Sequence, residues 1–468
     1  MPQPKERTSI AVQSERAVLA AVRLPESTYD QRDPFGELAS LAEQAGAVVV
    51  GTLEQRLERP NAGTFMGKGK LEELKTFVKQ LNASLVIFDH DLSPRQLANI
   101  EEVVEVKIVD RSELILDIFA SRATTTEAKL QVELAQLEYT YPRLRAMWSH
   151  LERIVGAGGL AGIGTRGPGE QQLEIDRRLA AEKKNALRRE LEVIQERKRR
   201  MVQQRKLDHF TVGIVGYTNA GKSTQFNTLT AGGAYADDRL FATLVTRTRE
   251  WDLGGGLNVQ LSDTVGFVRD LPHNLIASFK ATLEEATHAH LLLIVLDVSD
   301  PAAEMQFATV NSTLDELFAE VKAEEAKRPD GERGWQEPRR VVLLNKVDKL
   351  QDNAALLVWQ QRAPGAIAIE ARNPAGPGHA ELRELVRTAA QGGEQELELD
   401  VPLSDSRTVD TLEKRGRVLS REYHEGSVRM RVRIGQRQVD QLRAMGSRMR
   451  VVGEDPAGRP GWKPPEAD

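Results

Sequence analysis

No cysteine occurs among the 468 residues, so neither a disulfide framework nor a thiolate metal site can form, which suits a reducing compartment. Long apolar runs are absent as well. The longest candidates, such as Leu291 to Leu296, have the length of a buried strand and fall far short of the ~20 residues a membrane helix needs. The polar N-terminus has no signal-peptide core, so we expect a cytoplasmic protein without a membrane span. Nor is there an excess of positive charge. A formal net charge of −5 argues against an overall basic nucleic-acid binder and leaves any RNA contact to local patches. What is present, 468 residues of which 40% are apolar, suffices for three or more domains with real cores.

The stretch Phe210 to Thr224 (FTVGIVGYTNAGKST) carries the strongest signal. Val212 to Val215 read as a buried parallel strand. Gly216, four residues, Gly221, Lys222 and Ser223 follow, directly before a helix-compatible segment. Glycines let successive N–H groups and the helix N-terminus face an anion; Lys222 reaches the outer phosphate oxygens and the Ser223 hydroxyl suits Mg²⁺. Asp263-Thr264-Val265-Gly266 follows a strand-like segment, so its carboxylate can hold Mg²⁺ through water while the Gly266 N–H faces a γ-phosphate. Asn345-Lys346-Val347-Asp348 closes the apolar strand 341–344, and the Asp348 carboxylate accepts from guanine N1–H and its N2 amine but finds no such donors on adenine. In this order the three motifs specify GTP/GDP with Mg²⁺.

Along the chain, residues 17–22, 47–50 and 85–88 read as short buried strands, with helix-like stretches at 37–44 and 71–79, giving a small α/β domain over 1–123. Phe65 to Lys70 resembles a second phosphate loop, but the spacing is wrong and no Ser or Thr follows the lysine, so a turn before a helix is favoured over a phosphate contact. Asp89, Asp91 and Asp110 read as solvated caps at strand ends rather than metal ligands. Leu130, Leu134, Leu137 and Tyr141 mark an amphipathic helix within 124–141. Between Gln171 and Lys206 there is no Pro or Gly, and Leu173, Ala180, Leu187, Ile194 and Met201 recur every seven residues. That is a helix of roughly 50 Å at ~1.5 Å per residue, packed on the earlier one as an antiparallel hairpin over 124–207. Its other faces carry twelve Lys or Arg against seven Asp or Glu from Glu170 to Lys206, densest at Arg197, Lys198, Arg199 and Arg200. This is either a solvated coiled-coil face or an RNA-facing one. The Gly-rich connection 156–169, carrying Arg166, reads as a mobile tip suited to a structured RNA cavity. A GTPase domain should follow over 208–391, with a surface loop at 321–338. Then come a linker at 392–394, a small α+β domain over 395–453 with strands at 395–401 and 427–434 and helices at 407–415 and 436–443, and a disordered tail over 454–468.

At this level of detail the chain resembles the HflX family of translational GTPases. The strings that carry the resemblance are Phe65 to Leu74 (FMGKGKLEEL), Phe88 to Pro94 (FDHDLSP), Asp110 to Phe119 (DRSELILDIF), Leu130 to Leu137 (LQVELAQL), Gly164 to Glu170 (GTRGPGE), Gly216 to Ser223 (GYTNAGKS) and Asp263 to Pro272 (DTVGFVRDLP). The resemblance implies an α/β fold class: a P-loop GTPase domain with an N-terminal α/β domain, a long antiparallel helical hairpin and a small α+β C-terminal domain. It implies binding to the large ribosomal subunit and its rRNA and GTP-controlled separation of ribosomes, with the Gly-rich tip near the peptidyl-transferase centre and a monomeric protein. By the same resemblance Gly216, Tyr217, Thr218, Asn219, Ala220, Gly221, Lys222, Ser223, Thr224, Phe241, Thr243, Asp263, Gly266, Asn345, Lys346, Asp348, Glu370 and Ala371 contact the nucleotide. Ser223, Thr243 and Asp263 serve Mg²⁺, and Lys222, Thr243 and Gly266 serve hydrolysis.

Asn219 matches the asparagine that ligates K⁺ in potassium-dependent GTPases, while Phe267 stands where many GTPases carry a water-orienting Gln; slow turnover alone, rising with the ribosome, is expected. Three departures stand out: Val245-Thr246-Arg247 in place of Asp-Pro-Thr, Gln225 in place of Leu on a buried helix face, and Glu370 in place of Ser, each costing on the order of 1 kcal/mol in stability or affinity. Two functions stay open: a ribosome-splitting or rescuing GTPase, and a non-catalytic anti-association factor in which GTP only locks the conformation. RNA remodelling would need a second catalytic site, and none is visible.

Overall fold

The computed structural model describes residues 15–25, 27, 29–30, 32–156, 168–231, 241, 246–269, 285–326, 335–350, 354–392, 394–424, 426–435, 439, 442–443 and 446–452. Strand β1 (Arg16–Arg23, RAVLAAVR) shows what shapes the N-terminal part: Ala17 and Leu19 enter one core, Val18, Ala20 and Val22 the other. A parallel sheet must be covered on both faces, so its strands read as unbroken apolar runs. Strand β1 pairs in parallel with β2 (Val48–Arg56) and with β3 (Leu85–Phe88), which pairs with β4 (Lys107–Asp110), giving the order β2-β1-β3-β4. Of helices α1 (Gly36–Gln44), α2 (Lys68–Gln80), α3 (Pro94–Val104) and α4 (Arg111–Arg122), α1 and α4 close one face and α2 and α3 the other.

Helix α3 starts with a capping box between Ser93 and Gln96 and a proline in its first turn, and α4 is capped by Asp110, whose carboxylate accepts from the Glu113 N–H at 2.9 Å. Neither helix was among the elements expected from the sequence. Ser-Pro-x-Gln was the signal available for α3; in α4 buried residues all round the helix leave little amphipathic contrast.

Helices α5 (Thr126–Gly156) and α6 (Pro168–Asp208) form the stalk, both longer than the expected spans, with Leu130 and Leu134 packed on Leu187 and Leu191. The strict seven-residue seam does not hold. Met201 is 45% exposed whereas Val202 is buried, because a straight helix drifts ~20° per heptad against a 3.5-residue repeat. The tip residues 157–167, Arg166 among them, lie outside the described residues.

Strand β5 (Thr211–Gly216), helix α7 (Lys222–Leu229), β6 (Arg247–Asp252), β7 (Asn258–Asp263), β8 (Leu291–Asp297), α8 (Ala303–Glu325), β9 (Arg339–Asn345), α9 (Ala354–Arg362), β10 (Ile367–Ile369) and α10 (His379–Gln391) build a sheet of order β10-β9-β8-β5-β7-β6, with β6 antiparallel to β7. Helix α8 runs on to Glu325, into the span expected to be a loop; residues 327–334 are outside the description.

The last unit holds β11 (Glu394–Pro402), α11 (Ser406–Arg415), β12 (Arg417–His424), β13 (Ser427–Gly435) and β14 (Arg450–Val451), antiparallel in the order β12-β13-β11-β14. In β13, Val428, Met430, Val432 and Ile434 point inward, while Arg431 and Arg433 face Glu396 at 3.8 Å. Strand β12 was not anticipated, since its mostly exposed residues show no inward alternation. At the expected linker Gly392 is the C-cap of α10 and Glu394 already belongs to β11, with residue 393 outside the description. Of the expected helix 436–443, residues 439, 442 and 443 are helical; the tail 454–468 is outside the description.

Gln225 on α7 is fully buried, and neither its Oε1 nor its Nε2 has a hydrogen-bond partner. The Gln225→Leu variant is expected to unfold with a free energy higher by about 1–3 kcal/mol, measured by urea denaturation.

Candidate nucleotide site

Buried strand β5 delivers the chain to Gly216, the turn 217–221 follows, and α7 begins at Lys222. Gly221 sits at φ +100°, and a Cβ there would lie 2.2 Å from the Asn345 Nδ2, so the turn closes only with glycine. Asn345 Nδ2 donates to the Ala220 carbonyl at 2.7 Å, and its Oδ1 accepts from the Ala371 N–H at 3.0 Å. Lys346 Nζ donates to the Asn219 carbonyl at 2.9 Å. Side chains at the end of β9 thereby stitch the phosphate loop to the loop after β10.

These loops enclose a cavity of about 260 Å³. Its walls include Thr218, Asn219, Gly221, Lys222, Ser223 and Thr224, then Phe241, Thr264 and Gly266, and opposite them Asn345, Lys346, Asp348, Lys349, Glu370, Ala371 and Arg372. Thr264, Lys349 and Arg372 were not singled out from the sequence; each adjoins a motif residue, and that adjacency was the only cue.

Lys222 is buried, and its ammonium donates to the Tyr217 carbonyl at 2.6 Å. Burial pushes its pKa down to about 8, against the opposing pull of the Asp263 carboxylate. Ser223 Oγ donates to Asp263 Oδ2 at 2.8 Å, behind the cavity. Gly266 passes so close to Thr218 and Lys222 that a Cβ would stand 2.8 Å from Thr218 Cγ2 and 2.9 Å from Lys222 Nζ. Phe267 extends the loop as a strand would: its N–H donates to the Gly216 carbonyl at 3.0 Å and its carbonyl accepts from the Thr218 N–H at 2.7 Å. The Phe267 ring is buried against Leu292, Val310 and Leu314 and offers no hydrogen bond to a water. Asp348 is exposed at the rim, in a short 3-10 turn over Val347–Lys349. Glu370 accepts from Asn373 Nδ2 at 3.1 Å. Thr243 lies outside the described residues.

Tyr217 turns its ring away from the cavity. Its hydroxyl donates to Glu37 Oε1 at 2.6 Å and accepts from the Arg269 N–H at 2.7 Å; burial, then Glu37, holds the phenol well above its ordinary pKa. Glu37 Oε1 also accepts from Arg111 Nη2 at 2.8 Å. Asp89 corrects the expectation of a solvated cap: it is 1% exposed and accepts from Arg23 Nη1, Arg111 Nη1 and Arg269 Nη2, each at 2.8 Å. Burial alone would raise its pKa, but the guanidiniums of Arg111, Arg269 and Arg23 outweigh that and lower it. Asp110 is likewise buried, with one oxygen accepting from the Leu92 N–H at 3.1 Å. Nothing local in the sequence announces this cluster, because residues 23, 89, 111 and 269 meet only through tertiary folding. Among the described residues no three His, Asp or Glu gather as a metal site.

On the stalk, Arg197 and Arg200 are exposed. Lys198 pairs with Glu127 at 3.2 Å and Arg200 with Glu196 at 2.7 Å; the Arg199 side chain is outside the description.

Residues 32–120 match the family model GTP-binding GTPase N-terminal, 122–205 GTP-binding GTPase Middle Region, and 211–346 50S ribosome-binding GTPase. The chain is 41% identical over 418 residues to GTPase HflX of Lacrimispora saccharolytica, spanning 88% of this chain and 92% of that protein. It is 38% identical over 424 residues to GTPase HflX of Escherichia coli, spanning 90% and 93%. A GTP-binding protein from the hyperthermophilic archaeon Sulfolobus solfataricus, solved with GDP, aligns over 80% of this chain and 98% of its own at 24% identity and a TM-score of 0.38.

Two outcomes are expected of the site. Asp348→Asn exchanges an acceptor for a donor and should weaken GTP by several kcal/mol while favouring xanthosine triphosphate, as competition titrations would read. The second follows from Lys222. With its pKa at about 8 in the free protein, it loses its proton above that pH, whereas bound phosphate oxygens require the ammonium. Binding therefore takes up a proton above pH 8, and GDP affinity should be flat below that pH and fall by up to about tenfold per unit above it, measured by fluorescent-GDP titration from pH 7 to 9.5.

Proposed function

This chain belongs to the HflX family of GTPases, and we propose that it binds the large ribosomal subunit and couples GTP turnover to the separation or rescue of ribosomes. The match of residues 211–346 to the 50S ribosome-binding GTPase model carries this reading. The protein would act as a cytoplasmic monomer, with Arg166 at the stalk tip and Arg197, Lys198, Arg199 and Arg200 along the stalk contacting rRNA phosphates.

The donors fit Mg²⁺. Ser223 and Asp263 offer only oxygen and touch at 2.8 Å, and Thr243 would add a hydroxyl; bound there, the ion would offset phosphate charge. Lys222 and the Gly266 N–H would face the charge developing on the γ-phosphate. Asn219, exposed at the cavity edge with φ +61°, would present its side-chain oxygen to K⁺.

The buried Phe267 leaves no polar side chain at its position to orient a water, so turnover of the isolated protein is slow. The same observation favours a second reading, in which bound GTP acts as a lock and hydrolysis is incidental. The deciding experiment measures GTPase rate in K⁺ and in Na⁺, with and without large subunits, for wild type and Asn219→Ala, together with ribosome splitting in GTP and in a non-hydrolysable analogue. We expect a slow basal rate, a rise with K⁺ that Asn219→Ala removes, and a larger rise with large subunits. Fast turnover of the isolated protein in Na⁺ would overturn the account of Phe267. Repeated splitting at full rate with the analogue would favour the lock.

A further inference from the structure

Strand β8 ends at Asp297, directly opposite Asn345 in the parallel register with β9, and the Val298 N–H donates to the Asn345 carbonyl at 3.1 Å. The Asp297 carboxylate is divided between two duties. One oxygen accepts from the Ser299 N–H at 3.0 Å and the Ser299 hydroxyl at 2.6 Å; the other stands 2.5 Å from Lys346 Nζ. Lys346 Nζ in turn donates to the Asn219 carbonyl. The two residues joined by that last bond, Asn219 and Lys346, are both non-glycine residues held at φ +61°, a left-handed conformation that side chains disfavour.

A lysine side chain is long and flexible, and one neutral carbonyl is a weak reason for it to stay put. A carboxylate with only 11% of its side chain exposed is a stronger one, because ion pairs and charge-assisted bonds gain strength as water is excluded. We propose that Asp297 is a positioning residue for guanine nucleotide binding: it fixes the Lys346 ammonium against the Asn219 carbonyl, so that the phosphate loop and the base-recognition loop are held in one arrangement before a nucleotide arrives. The ordering of both strained turns is then supplied by the protein and not drawn from the ligand's binding energy.

The test uses the full chain. Asp297→Asn keeps the shape and an acceptor for Ser299 but removes the charge. Asp297→Ser, which retains an acceptor near the Ser299 N–H, is the second variant should the first fold poorly. Either is expected to speed dissociation of fluorescent GDP about tenfold and to raise the GTP KM by a similar factor, with kcat at saturating GTP changed far less. In a Lys346→Gln background the same substitution should add less than about twofold, since its partner is already gone. An unchanged GDP dissociation rate would overturn the proposal. So would a full tenfold effect in both backgrounds, which would mean that Asp297 acts through β8 or Ser299 and not through Lys346.

Discussion

One carboxylate facing three guanidiniums is the constraint on which the arrangement of this molecule turns. Asp89 lies at the end of β3, and the arginines that converge on it come from β1, from the first turn of α4 and from the segment after Gly266. Taking such charges out of water is tolerable only when each keeps its partners, and removing one member of a buried set typically costs about 3–5 kcal/mol because the others are left uncompensated. Glu37 adds a second acceptor, so neither Arg111 nor Arg269 relies on Asp89 alone.

That electrostatic joint is backed by an apolar one. Phe241, Val265 and Val268 belong to the same core as Leu19, Ile115 and Phe119, and the rings of Phe119 and Phe241 lie 4.5 Å apart. Phe241 and Gly266 also line the nucleotide cavity. The segments that face the nucleotide are therefore supported from behind by the N-terminal sheet and α4. The phosphate loop is tied in by the hydroxyl of Tyr217 as well, which reaches both Glu37 and Arg269.

What could be read in advance follows from how far apart the cooperating residues sit. The phosphate loop, DTVG and NKVD are contiguous strings whose spacing is set by the ligand, and the structure brings Lys222, Ser223, Gly266, Asn345 and Asp348 to one cavity. The polar intrusion of Gln225 on a buried face was equally visible, because only helical periodicity is needed to see it. The heptad was over-read: Leu187 and Leu191 pack as the seam requires, but the drift of a straight helix replaces Met201 with Val202. Strand β12 escaped because an edge strand with few inward side chains has no alternation to detect. The Asp89 cluster escaped because charge identity alone does not say which of many arginines will meet, and a strand-end aspartate is more often solvated.

The N-terminal sheet has a further property that follows from its strand order. The helix after β1 and the helix after β3 cover opposite faces, so the chain changes direction between these neighbouring strands, and in open parallel sheets the crevice at the carboxyl ends of such a pair is where ligands are taken up. Here Arg23 and Asp89 mark that crevice, and what fills it is the guanidinium of Arg269 from the same chain. In topological terms one part of the protein is the resident ligand of another, and any molecule seeking that crevice at Asp89 would have to displace Arg269, and so loosen the segment that follows Gly266.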